Sequence, residues 1–172
     1  MKRILFVLLL MAVISSGSNQ LMAQWIQTNG PEGGAVYCFA NIGTNLFVGT
    51  EDGVYLSTNN GTNWTHVNNG LENIIVQSLA VIDTNLFAGT SHKGVYLSTN
   101  DGASWSQVNF GLHHYWVSSL AVSDTNLFAG TGGGVYLSTN NGVSWIPVNN
   151  GLTDTVAVFS LAVSDTNLFA GT

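Results

Sequence analysis

Few residues of this chain have the types and spacing that chemistry needs. His113-His114-Tyr115-Trp116 is the most distinctive run. A metal centre requires ligands that converge, and adjacent histidines point in different directions, so a solvated loop is the plainer reading. Tyr115 and Trp116 carry surfaces that could stack on a sugar or cover the edge of a sheet. Glu51, Asp52, Glu72 and Asp154 are the carboxylates available for paired acid–base work. Glycoside hydrolysis by such a pair depends on the separation of the two groups, which a sequence does not carry. His92 and Lys93 lie side by side in another polar stretch. Gly132-Gly133-Gly134 has neither a following lysine nor a following helical pattern, so it is not a phosphate loop. No catalytic, cofactor-binding or metal-ligating residue is expected, and these polar and aromatic positions are expected to form a ligand face.

Charge narrows the partners. The chain begins Met1-Lys2-Arg3, continues with an apolar run from Ile4 to Ile14, and reaches a small residue at Ala23. That is the three-part layout of a secretory leader, expected over residues 1–23 and too short to span a bilayer comfortably. Without it, Lys93 is the sole basic residue against nine acidic ones, a net charge of −8. Such a surface cannot neutralise phosphates, so nucleic acid is excluded as a partner. No membrane span is expected in the exported chain, whose destination is periplasmic, cell-surface or extracellular. Cys38, the only cysteine, occupies a position held by Ser78, Ser119 and Ser160 in other copies of the same segment, and reads as a small buried strand residue.

The elements that position these residues repeat. Gly-Val-Tyr-Leu-Ser-Thr-Asn, an Asn-Gly or Asp-Gly pair and a tryptophan run through residues 53–64, 94–105 and 134–145. Thr-Asn-Leu-Phe precedes each copy and returns at Thr166. A period of 40 or 41 residues marks a repeat architecture. Within the second copy, β-branched and apolar runs at 76–82, 85–89, 94–98 and 104–108 are separated by turn signals, which predicts four short strands. Asn60-Gly61, Asp101-Gly102 and Asn141-Gly142 are hairpin dipeptides, and Asp83, Asp124 and Asp165 recur in a second turn, which favours a structural role. Trp64, Trp105 and Trp145, in register, predict packing between neighbouring repeats. The expected fold is all-β, a β-propeller of four-stranded antiparallel blades left incomplete or as an open arc; a parallel β-solenoid is the rival.

The turn motif resembles the Asp box, or BNR repeat, Ser-x-Asp-x-Gly-x-Thr-Trp. The matching residues are Ser57, Asn59, Gly61 and Trp64; Ser98, Asn100, Gly102 and Trp105; and Ser138, Asn140, Gly142 and Trp145. Asparagine stands where the motif has aspartate. The resemblance extends to sialidases, photosystem II assembly factors, sortilin-type receptors and xyloglucan hydrolases, and is greatest for exported bacterial BNR or YVTN-type repeat proteins. It implies that the boxes are structural. Sialidases grip their substrate with three arginines, and no arginine remains once residues 1–23 are removed, so that activity is excluded.

The expected organisation after the leader is a propeller segment over 24–172: a last-strand segment at 24–30, blades at 35–70, 75–111 and 117–151, and half a blade at 157–172. The pattern is interrupted after Thr172, so the chain is expected to be a fragment of a longer propeller, the alternative being copies that assemble to complete a ring. The loops between blades, and those between the second and third strands of a blade, differ from copy to copy and share one end. The expected function is an exported scaffold for binding a protein or carbohydrate, without catalysis; the alternative is a piece of a carbohydrate-active propeller enzyme.

Overall fold

The computed structural model describes residues 6–10, 23–32, 34–71, 74–152 and 156–172. All regular elements among them are strands. β1 (Phe6–Leu10) and β2 (Ala23–Gln27) form an antiparallel pair. β3 (Val36–Ile42), β4 (Asn45–Thr50), β5 (Gly53–Ser57) and β6 (Thr65–His66) form the first four-stranded sheet. β7 (Val76–Ile82), β8 (Asn85–Thr90), β9 (Val95–Ser98) and β10 (Ser106–Gln107) form the second. β11 (Val117–Ser123), β12 (Asn126–Thr131), β13 (Gly134–Ser138) and β14 (Ile146–Pro147) form the third, and β15 (Ser160–Ser164) with β16 (Asn167–Gly171) forms a two-stranded half-blade. Every sheet is an antiparallel meander in chain order, which rules out the parallel solenoid. These are the blades of an incomplete β-propeller.

Two details depart from the sequence reading. The fourth strand of each blade is only two residues long, not the five read at 104–108. The cause is that Trp105, at its start, turns its backbone N–H to the carbonyl of Asn69 in the preceding blade, 2.9 Å away, and Trp145 does the same to Phe110. The N-terminal segment read as a last strand pairs with Phe6–Leu10, Leu8 opposite Trp25. The rest of the proposed leader, residues 1–5 and 11–22, lies outside the described residues.

Alternation along the strands divides each blade between two interfaces. In the second blade, Leu79, Leu86, Ala88 and Tyr96 join Phe47 and Val54 of the first blade in one core cluster, together with Trp105. Ala80, Ile82, Phe87 and Val95 point the other way and join Val117, Leu120, Leu127, Ala129, Tyr136 and Trp145. A blade buried on both faces needs apolar residues at odd and even positions alike, which explains the continuous runs Val-Gln-Ser-Leu-Ala-Val-Ile and Gly-Val-Tyr-Leu. Where no blade covers a face, the same positions are open: Phe39 is 49% exposed, whereas Leu79 and Leu120 at its place in the next blades are each 9% exposed.

Candidate binding face

The turn between the first and second strands has the same backbone in every repeat. Asp83, Asp124 and Asp165 adopt φ of 55°, 52° and 52°, and Gly43 takes 57° at the same position of the first blade. Aspartate tolerates the left-handed region and glycine enters it freely, so this carboxylate is present for its backbone and not for chemistry.

At the tryptophan turns, a serine and an asparagine replace the missing backbone partners. In the second blade, Ser98 Oγ–H donates to Asn100 Oδ1 at 2.9 Å and accepts the Gly102 N–H at 2.9 Å. Asn100 Oδ1 also accepts the Ser104 N–H at 2.9 Å, while Asn100 Nδ2 donates to Ser104 Oγ at 2.9 Å. An aspartate could not make that last bond, since it has no donor. Ser138, Asn140, Gly142 and Ser144 repeat all four bonds, and Ser57 with Asn59 holds Gly61 and Asn63 likewise. Trp105 is 5% exposed and its indole N–H reaches back to the Val67 carbonyl at 2.8 Å; Trp145 reaches Val108 at 2.8 Å. These tryptophans are the ties between blades.

The opposite end is held just as firmly, by residues that the sequence reading passed over. Between the second and third strands of each blade, a fully buried threonine, Thr50, Thr90 or Thr131, donates through Oγ1 to the carbonyl of Gly53, Gly94 or Gly134 at 3.1, 2.8 and 2.9 Å. The same oxygens accept the N–H of Asp52, Lys93 and Gly133. From the end of the fourth strand, Asn68, Asn109 and Asn149 clamp the turn, each Oδ1 accepting the N–H of Val54, Val95 or Val135 at 2.7 Å. Their amide nitrogens donate to the carbonyls of Asp52, Lys93 and Gly133. The signal was visible: Val-Asn followed by glycine two residues later, in register at 67, 108 and 148.

The clamping bonds are common, but the second turn is longer by one residue, Ser91, and the side chains differ. The first blade presents Glu51 and Asp52, the second His92 and Lys93, and the third Gly132 and Gly133, with all four of the charged or imidazole groups exposed. The loop before the third blade is drawn onto the frame by two backbone bonds, Gly94 N–H to the Tyr115 carbonyl at 2.9 Å and Gly132 N–H to the Trp116 carbonyl at 3.2 Å. His114 lies over Gly133, where a Cβ would stand 2.1 Å from its ring. His113 faces Tyr136 edge-on at 6.4 Å, so the two histidines part, and among the described residues no three potential ligands come together to hold a metal. Trp116 meets Phe159 of the next segment edge-to-face at 5.9 Å. Tyr115, Trp116 and Phe159 are 51%, 44% and 55% exposed.

The first blade carries a polar network instead. Tyr37 O–H donates to Glu51 Oε1 at 3.2 Å and Tyr55 O–H to Asp52 Oδ2 at 3.5 Å. His66 packs at a tilt of 52° against Tyr55 with ring centroids 4.7 Å apart, and its Nε2 lies 3.6 Å from Asp52 Oδ2 and 2.9 Å from the Asp52 carbonyl. Gln107 makes the corresponding contact with the Lys93 carbonyl, so His66 also has a share in bracing its turn. Burial, then the Asp52 carboxylate, raises the Tyr55 phenol above its ordinary pKa. Glu72 and Asp154 lie outside the described residues. Thus His92, Lys93, His113, His114, Tyr115 and Trp116 gather around the second and third blades, and Glu51 and Asp52 belong to the first.

The fold and its repeated ties define a β-propeller repeat protein. The chain belongs to the DUF6242 beta propeller domain family, which matches residues 9–115. No curated protein matches it. Among solved structures, an ancestral GH74 enzyme is similar at 26% identity and a TM-score of 0.66, over 81% of this chain and 22% of that one. YCF48 from Cyanidioschyzon merolae is similar at 15% identity and a TM-score of 0.55, over 67% of this chain and 37% of its own. The extracellular domain of BT4673, a putative hybrid two-component system from B. thetaiotaomicron, is similar at 17% identity and a TM-score of 0.52, over 87% and 27%. The chain therefore spans less than two fifths of each of these three proteins.

Proposed function

We propose that the chain is an exported, non-catalytic binding scaffold, and that the end carrying His92, Lys93, His113, His114, Tyr115 and Trp116 is its ligand face. One observation carries this reading: the threonine and asparagine clamps brace three turns with the same set of hydrogen bonds, the second turn one residue longer than the others, while the side chains they present differ completely. Fixed geometry with variable chemistry is what a recognition surface on a rigid scaffold requires. The exposed Tyr115, Trp116 and Phe159 supply large contact area at small entropic cost, since aromatic side chains have few torsions to freeze. Export is supported by the leader-like composition of residues 1–23 and by the likeness to an extracellular domain.

A second reading, part of a carbohydrate-active enzyme, is favoured by the likeness to the GH74 enzyme. Against it, Glu51 and Asp52 are engaged by Tyr37, Tyr55 and His66. Incubating the protein with a panel of soluble polysaccharides, and assaying both retention and the release of reducing ends, separates the two. Retention without release supports the scaffold; reducing ends that disappear with Glu51→Gln or Asp52→Asn overturn it.

A further inference from the structure

The repeats carry four Asn-Gly pairs, at Asn60, Asn69, Asn141 and Asn150. Asparagine before glycine is chemically labile, because glycine has no side chain to keep its nitrogen away from the asparagine amide. The glycine nitrogen attacks the asparagine Cγ, the C–N bond of the side-chain amide breaks, and ammonia leaves with the glycine's proton. Water then opens the cyclic imide at either carbonyl. One opening gives aspartate; the other gives isoaspartate, with an extra carbon in the backbone. The first step needs a glycine N–H that can lose its proton and a peptide free to turn onto its neighbour. The four pairs differ in both.

Asn60 and Asn141 are exposed, but the nitrogens that would attack them are not. Gly61 and Gly142 are buried, and their N–H groups donate to Ser57 Oγ at 2.8 Å and to Ser138 Oγ at 2.9 Å. The φ of 55° and 54° at these asparagines is shared by Asp101, at 54°, and Gly102 N–H meets Ser98 Oγ at 2.9 Å in the same way. The turn therefore accepts aspartate, whereas isoaspartate would lengthen its backbone. Asn69 and Asn150 hold equivalent places after β6 and β14, and both are exposed together with the glycines that follow them. The Asn69 carbonyl accepts the Trp105 N–H at 2.9 Å, and a Cβ on Gly70 would collide with the Trp105 carbonyl. Turning that peptide onto the Asn69 side chain has to break this bond. Among the described residues, no atom lies within 4 Å of where a Cβ on Gly151 would stand.

We propose that Asn150 is the site of deamidation in the repeats, and that Ser57, Ser138 and Trp105 keep Asn60, Asn141 and Asn69 from becoming further ones. The serine that opens the first and third turn motifs then has a chemical role besides its conformational one: it holds the proton whose loss starts ring closure. Ser98 makes the same bond beside Asp101, which has no amide to lose, so the second blade separates the two roles.

The test follows each pair by peptide mass mapping, with isoaspartate scored separately, while the full chain is incubated at mildly alkaline pH, folded and in denaturant. In denaturant the four pairs are expected to convert at similar rates. In the folded chain Asn150 is expected to keep its rate, and Asn60, Asn69 and Asn141 to slow by about fivefold or more, the weight of one hydrogen bond. Ser138→Ala is expected to raise conversion at Asn141 and to leave Asn60 as it was. Ser98→Ala, which loosens the equivalent turn, is expected to leave all four as they were. The comparison of folded with denatured chain needs no variant, so it stands even where Ser138→Ala does not fold. Equal rates at the four pairs in the folded chain would overturn the proposal. So would a folded Ser138→Ala variant in which Asn141 converts no faster, or in which Asn60 and Asn69 speed up as much as Asn141.

Discussion

The backbone N–H of Val95 donates to Oδ1 of Asn109 at 2.7 Å, across fourteen residues of sequence. Asn109 Nδ2 donates to the carbonyl of Lys93 at 2.7 Å. One amide thus closes both sides of the turn on which His92 and Lys93 are carried. Replacing it strands a buried donor, whereas the side chains it presents are free of such duty. Asn109→Ala is expected to cost about 1–3 kcal/mol in a denaturant titration, and Lys93→Ala to stay within about 0.5 kcal/mol.

Asp124 makes a different kind of prediction, since its φ of 52° and not its charge accounts for its place. Asp124→Gly is expected to leave the thermal midpoint almost unchanged, as Gly43 already serves the first blade. Asp124→Val is expected to cost about 1–2 kcal/mol, the strain of a side chain held in the left-handed region. Equal effects of the two substitutions would point to a role for the carboxylate.

Cys38 responds to pH. The residue is partly covered, yet its sulfur points at Gly49 and Val76, where a Cβ on Gly49 would stand 2.5 Å from it. Burial pushes the thiol from its ordinary 9.0 up to about 12, a backbone contact with Gly49 working weakly the other way. A group whose pKa is raised on folding adds stability that is complete below the unfolded value and fades as pH climbs through the folded one. Stability is therefore expected to fall between about pH 9 and pH 12, with a smaller fall in Cys38→Ser. Alkylation at pH 8 is expected to label Cys38 only when the protein is unfolded.

Legibility in the sequence followed the period. The turn aspartates, the Asn-Gly and Asp-Gly turns and the recurring tryptophans could be read because each recurs in register; the left-handed backbone of the aspartates came with the structure. The antiparallel blades followed from them. The short fourth strand could not be read, since Trp105 spends its backbone N–H on the preceding blade, a contact 36 residues away. The Asn68, Asn109 and Asn149 clamps were overlooked although they recur, because an asparagine near a glycine reads locally as a turn residue and its long-range partner lies fourteen residues earlier. On the ligand face, the divergence of the loops was visible. That Gly133 makes room for His114, and that Trp116 meets Phe159, depends on the packing of one blade against the next.

The scaffold reading turns on whether the exposed aromatics hold a ligand. The most direct measurement is retention of the protein, and of its Tyr115→Ala/Trp116→Ala variant, on a panel of immobilised polysaccharides, with thermal midpoints recorded in parallel. The parent is expected to be retained by at least one member without releasing reducing ends, and the variant to lose at least tenfold in affinity, about 1.4 kcal/mol, at an unchanged midpoint. Retention that survives both substitutions, or cleavage of the retained polymer, would contradict it.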